Sequence, residues 1–161
     1  MILHAGLIAL RLDGLWRGAL IEGASGAGKS DLALRALDLG FRLVADDRVV
    51  VWRSGEALYG RAPDPLAGLL EVRGLGVLAE RRLEFCRIGL VVTLGEPERA
   101  PEPMSKEYLG LSLPEIRLLG REASAPAKLR RAMQHLGAGP EGAYLSPLAL
   151  GAPSRSSGDS R

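Results

Sequence analysis

Eight consecutive residues, Gly23, Ala24, Ser25, Gly26, Ala27, Gly28, Lys29 and Ser30, follow the pattern G-x-x-x-x-G-K-[ST]. The chemistry behind this spacing is anion binding. Glycines let the backbone curl until successive N–H groups point inward at phosphate oxygens. A helix opening at the lysine adds the partial positive charge of its N-terminus. The lysine supplies a point charge for the β and γ phosphates, and the following hydroxyl takes a place on Mg2+. A glycine turn that merely caps a helix is the plain structural alternative. The pattern implies a bound nucleoside triphosphate and leaves the phosphate acceptor open.

Two further groups of residues carry possible chemistry. Asp46 and Asp47, in "RLVADDRV", end a short β-rich run 17 and 18 positions beyond Lys29. If that run is parallel to the strand feeding the glycine loop, both carboxylates open on the edge that holds the phosphates. One could then orient metal-bound water while the other accepts a hydroxyl proton. A turn between two strands would suit paired aspartates equally well. In "LLEVRGLGVL", Glu71 and Arg73 lie among apolar residues ahead of Gly74 and Gly76. That composition suggests a structured loop whose carboxylate could complete a Mg2+ shell.

The elements that must position these groups are legible around them. "LHAGLIALRL" and "LWRGALIE" are apolar segments joined at Asp13-Gly14, a strong hairpin signal. The second runs into the glycine loop. "KSDLALRALDL" then spaces Leu32, Leu34, Ala36, Leu37 and Leu39 broadly along a helix face, with Gly40 placed to end it. "FRLVAD" and "RVVVW" follow as short strands, with a turn at Ser54-Gly55. Strand, loop, helix and strand make a βαβ unit with a parallel crossover. Further on, "RIGLVVTL" predicts a strand, and proline-rich 95–114 reads as an exposed excursion. "LPEIRLL" predicts a last strand, and 124–137 a helix with Ser124 as N-cap and Gly137 as stop. The basic face of that helix, with Lys128, Arg130 and Arg131, reads as solvated, docking to an acidic partner being the alternative.

Composition bounds the function classes. A chain of 161 residues, 47% hydrophobic and 25% charged, fits one globular domain over 1–150, with 151–161 read as a disordered tail. The net charge of +2, with no basic run longer than two residues, argues against nucleic acid. Apolar runs are too short for membrane insertion, and the start "MILHAGLIALRLDG" lacks the features of a signal peptide. The single cysteine, Cys86, reads as a buried strand thiol, and a cytoplasmic location is expected.

In this order and spacing, "GASGAGKSDLAL", "RLVADDRV" and "LLEVRGLGVL" resemble the catalytic domain of the HPr kinase/phosphorylase family. "EVRGLG" is similar to that family's signature and is far more specific than the glycine loop. The likeness runs from about His4 to Leu78, is weaker beyond, and is greatest to the short, single-domain proteobacterial versions. It implies an α/β fold: a P-loop kinase-like domain with a mixed β-sheet, a βαβ nucleotide-binding unit and flanking helices. It implies ATP and Mg2+ as cofactors and a seryl residue of HPr, the phosphocarrier of the phosphotransferase system, as acceptor.

Carried over by position, the resemblance implies Lys29 as the catalytic, phosphate-binding lysine and Ser30 with Glu71 as magnesium ligands. Asp47 becomes the proton acceptor, Asp46 its neighbour on the same edge, and His4 the family's strand histidine. Arg99, in "GEPERAP", resembles the family's catalytic arginine after the late strand. The segment "LPEIRLLGREASAPAKLRRAM" departs from the stretch that longer members use in dephosphorylation, so the reverse, phosphorylase reaction stays open. So do an oligomer and a link to a sensor kinase. Two other readings remain: an ATP-binding sensor without turnover, and a P-loop kinase of small molecules.

Overall fold

In a computed structural model, the described residues are 1–136. The expected tail at 151–161 and the helix stop at Gly137 lie outside them.

The first hairpin forms where Asp-Gly predicts it. β1 (Ile2–Leu3) precedes β2 (Gly6–Leu12) and β3 (Leu15–Glu22), the latter two pairing antiparallel with Leu12 opposite Leu15. Asp13 and Gly14 both take positive φ, 49° and 79°, the backbone hand that matches strand twist in a two-residue turn. β3 delivers the chain to the glycine loop, and α1 (Lys29–Leu37) leaves it. α1 buries Leu32, Ala33 and Ala36. Gly40, at φ 91°, then reverses the chain, with the Phe41 N–H closing onto the Ala36 carbonyl at 3.3 Å.

The chain continues through β4 (Arg42–Ala45), β5 (Val49–Ser54), β6 (Ala57–Arg61) and a 3-10 turn at Asp64–Leu66. β7 (Leu69–Val72) and β8 (Gly76–Ala79) form a separate two-stranded hairpin. Then come β9 (Cys86–Leu94), β10 (Met104–Tyr108), β11 (Leu111–Leu118) and α2 (Ala125–Gln134). Nine strands make one mixed sheet in the order β1-β5-β6-β9-β3-β2-β4. β11 adds in parallel to the last four residues of β9, and β10 pairs with β11.

Two details differ from the sequence reading. β4 runs parallel to β3, but β2 lies between them, antiparallel to both. The crossover through α1 therefore steps over β2, and the parallel neighbour of β3 is β9. Residues 104–118 form the β10–β11 hairpin, so only the first part of the 95–114 stretch is irregular. Leu109 and Gly110, both at positive φ, supply its tight turn. Pro114 is tolerated because it sits just before the parallel ladder to β9 begins at Glu115, where its missing N–H costs no bond to that neighbour.

Consecutive residues face opposite sides of a strand, so the unbroken apolar runs of the central strands imply burial on both faces. Ile8, Ile21, Leu90 and Val92 pack with Leu32 and Ala36 of α1 and Leu129 and Met133 of α2. Leu7, Leu20 and Val91 face the other way, with Val49, Val51, Leu58 and Ile88. Cys86 is buried in this second cluster, and burial pushes its thiol up to about 12. Ser124 precedes α2, although its side chain makes no capping hydrogen bond.

Candidate active site

The glycine loop owes its path to three positions where a side chain has no place. A Cβ on Gly23 would lie 3.0 Å from Leu94 Cβ and 3.2 Å from Ala27 Cβ. Gly26 and Gly28 take φ of 79° and 99°, the left-handed region that L side chains resist. Gly28 is the N-cap of α1, so the turn it makes points the helix N-terminus into the loop. Lys29 is buried, and its Nζ donates to the carbonyls of Gly23 at 2.8 Å and Ala24 at 3.2 Å. The ammonium thus spans the loop it closes. Behind the loop, Glu22 accepts from Tyr108 Oη and Lys106 Nζ, anchoring the end of β3 to β10. Burial first, then the hydrogen bond to Glu22 and its charge, pushes the Tyr108 hydroxyl above its ordinary range.

The two aspartates after β4 diverge. Asp46 is buried; its Oδ1 accepts from Ser30 Oγ at 2.7 Å and its Oδ2 from the Glu71 N–H at 3.2 Å. One carboxylate therefore ties the start of α1 to β7. Asp47 points outward from a left-handed backbone, φ 65°, in a turn closed by the Arg48 N–H onto the Asp46 carbonyl at 2.7 Å. Its Oδ1 lies 2.8 Å from Nε2 of His4, and its Oδ2 lies 3.1 Å from Nη1 of Arg48. Neighbours in sequence thus serve different places: Asp46 faces the protein, Asp47 the cleft. A strained non-glycine conformation of this kind is a frequent companion of functional sites.

A cleft of about 610 Å3 opens over these groups. Ser25, Gly26, Gly28, Lys29 and Ser30 line its floor; His4, Asp47, Glu71 and Arg73 line it as well. Glu71 enters from the exposed side of β7, whose hairpin turns at Gly74 and Gly76, both at positive φ. Arg99 is exposed in the bend after β9 and is not among the lining residues, contrary to the expected placement. Arg121 is among them, donating from Nη2 to the Gly26 carbonyl at 2.5 Å. No motif marks Arg121 among the 18 arginines; only the position of its loop singles it out. A second, more apolar cavity of about 590 Å3 lies between α2 and β10–β11 and shares no residue with the phosphate loop.

Hard oxygen donors collect at one corner: the Ser30 hydroxyl, the Asp46 carboxylate bonded to it, and the Glu71 carboxylate on the lining. Among the described residues no three His, Cys, Asp or Glu side chains converge as a ready-made metal cage. The donor set fits Mg2+, which takes one or two protein oxygens and fills its shell with phosphate oxygens and water.

A glycine loop opening a helix at the edge of a mixed sheet, with a buried lysine and a hydroxyl–carboxylate pair beside it, defines a P-loop kinase-like α/β domain. The family described as the HPr Serine kinase C-terminal domain matches residues 3–119, and the chain belongs to it. An HPr kinase/phosphorylase of Polaromonas naphthalenivorans is 37% identical over 121 residues, covering 65% of this chain and 38% of that protein. One from Halalkalibacterium halodurans is 41% identical over 110 residues, covering 63% and 34%. The chain thus spans little more than a third of the length of these curated relatives. Among solved structures, an Hpr(Ser) kinase/phosphatase from Coxiella burnetii superposes with a TM-score of 0.71 at 23% identity, covering 84% of this chain and 95% of that one. That likeness carries the fold.

Proposed function

We propose that the chain is a Mg-ATP-dependent protein serine kinase whose acceptor is a seryl residue of HPr or an HPr-like phosphocarrier. The observation that carries the reading is the pair of aspartates at one edge of the cleft: Asp46 bonded to the phosphate-loop Ser30, and Asp47 turned outward beside His4. The loop amides and Lys29 hold the phosphates. Ser30 and Glu71 would hold Mg2+, with Asp46 orienting the Ser30 hydroxyl; the ion supplies charge neutralisation on the phosphate oxygens. Asp47 accepts the seryl proton as the seryl oxygen attacks the γ phosphorus and the bond to the β–γ bridging oxygen breaks, releasing ADP. His4 orients the Asp47 carboxylate. Arg99 has no part in this reading because it is not among the residues that line the cleft.

Membership of the family and the likeness to relatives named HPr kinase/phosphorylase support HPr as the acceptor in this reading. An open cleft suits a protein acceptor, which brings its own structured surface. No helix among the described residues is long and apolar enough to cross a membrane. The cytoplasm, where a lone buried thiol stays reduced, is the compartment that fits. The test is purified protein with ATP, Mg2+ and HPr, the product identified by mass. A seryl phosphate on HPr is the expected result; tight ATP binding without transfer to any acceptor would make the chain a sensor instead. Phospho-HPr with inorganic phosphate tests the reverse reaction, which would release pyrophosphate.

A further inference from the structure

Arg121 sits in the loop that follows β11, packed directly on the phosphate loop. Its Nη2 bonds the Gly26 carbonyl at 2.5 Å. A Cβ on Gly28 would lie 3.3 Å from Arg121 Cγ, and one on Gly120 would lie 3.1 Å from the Ala27 carbonyl oxygen. Both glycines let the two loops approach this closely. Arg35, on α1, then grips the loop from below. Its Nη1 donates to the Glu122 carbonyl at 2.9 Å and its Nη2 to the Gly120 carbonyl, the residues on either side of Arg121. Its Nε donates to Asp31 at 2.9 Å, which fixes the guanidinium plane. A planar fork with several donors suits this double grip, of which a lysine could supply only part.

The sheet order decides which end of a nucleotide Arg121 meets. β4 lies two strands from β3 on one side, beyond β2; β11 lies two strands away on the other, beyond β9. Asp46 and Asp47 follow β4, while Arg121 follows β11. The proton acceptor and the metal corner therefore occupy one flank of the phosphate loop, and Arg121 the opposite flank. In the kinase reading, on which this orientation rests, the γ phosphate lies on the aspartate flank. The geometry points to Arg121 as the clamp on the nucleoside-side phosphates of the bound nucleotide, with Arg35 as the residue that positions it. Such a clamp holds ADP and ATP alike, unlike an arginine that meets the γ phosphate.

The experiment measures equilibrium binding of ADP and of ATP, each with Mg2+ and without any acceptor. Arg121→Ala is expected to weaken both by a similar factor, about ten- to a hundredfold for a charge-assisted contact, raising KM for ATP with kcat within a few-fold. Arg35→Met is expected to reproduce that loss, Arg35→Lys to restore it in part, and the double variant to be no weaker than Arg121→Ala alone. Thermal melts identify any variant that fails to fold; if Arg35→Met does, Arg35→Lys decides. Unchanged ADP affinity in Arg121→Ala, loss confined to ATP, or additive losses in the double variant would overturn the assignment. Because ADP binding needs no acceptor, a wild type inactive on HPr sinks the kinase reading and leaves this test standing.

Discussion

His4 Nε2 and Asp47 Oδ1 lie 2.8 Å apart at the mouth of the cleft, joining the segment between β1 and β2 to the turn after β4. Both side chains are about half exposed, so the pair is placed to meet an incoming hydroxyl while its geometry is held from two directions.

The proposed proton acceptor is tested at this pair. Asp47→Asn keeps the shape and removes the base, so kcat should fall by about 10²–10⁴ while ATP affinity holds. His4→Ala leaves the base but frees its carboxylate, and a drop on the order of tenfold is expected. Steady-state kinetics on HPr with a parallel ATP-binding measurement separates the two, and full activity in Asp47→Asn would remove it from the mechanism.

Asp46 is a different kind of carboxylate. Replacing it by Ala leaves the Ser30 hydroxyl and the Glu71 N–H without their partner. Each orphaned group costs about 1–3 kcal/mol if it stays dry, so denaturant midpoints should fall. ATP binding should also lose its dependence on Mg2+, as it should in Ser30→Ala, whereas Asp47→Asn keeps that dependence. Nucleotide titrations with and without the ion check this.

Two glycines at similar φ separate loop chemistry from turn chemistry. Gly28→Ala, at φ 99° and with Arg121 Cγ at 3.3 Å from the added methyl, should cost about 1–2 kcal/mol and abolish ATP binding. Gly14→Ala, at φ 79° with open space around it, should cost a comparable amount in stability and leave ATP affinity unchanged. Melting curves with and without Mg-ATP read both effects.

The buried thiol makes stability depend on alkaline pH. Cys86 titrates at 9.0 when unperturbed and is raised to about 12 in the folded protein by burial. Its contribution is therefore complete below pH 9 and is lost as pH rises toward 12, because only the unfolded chain gives up the proton. The slope approaches 1.4 kcal/mol per pH unit, as an order-of-magnitude figure. Tyr108, raised above 10.0 by burial and by Glu22, steepens the fall. Cys86→Ala should flatten the curve between pH 9 and 10, and the native thiol should resist disulfide reagents at pH 8 until denaturant is added.

Much of the local structure is written in short stretches of the chain. The glycine loop, the Asp13-Gly14 turn, the Gly40 stop and the buried Cys86 strand each depend on residues within a few positions of one another. Backbone handedness, caps and two-residue periodicity act over that range, so sequence alone determines them. In the β10–β11 hairpin, prolines and charges hide the two-residue alternation.

What the tertiary structure decided is which distant groups meet. Asp46 and Asp47 are adjacent and alike in sequence; a turn with φ 65° at Asp47 sends one to Ser30 and the other to His4. The Asp13-Gly14 turn keeps β2 beside β3, but no local signal records that β4 takes the other edge of β2 rather than pairing with β3. Arg121 rather than Arg99 lines the cleft because β11 adds to β9 and carries its following loop over the glycines. Strand order is set by burial summed over the whole sheet, a non-local quantity, so a short motif can define the chemistry of a site without defining which arginine reaches it.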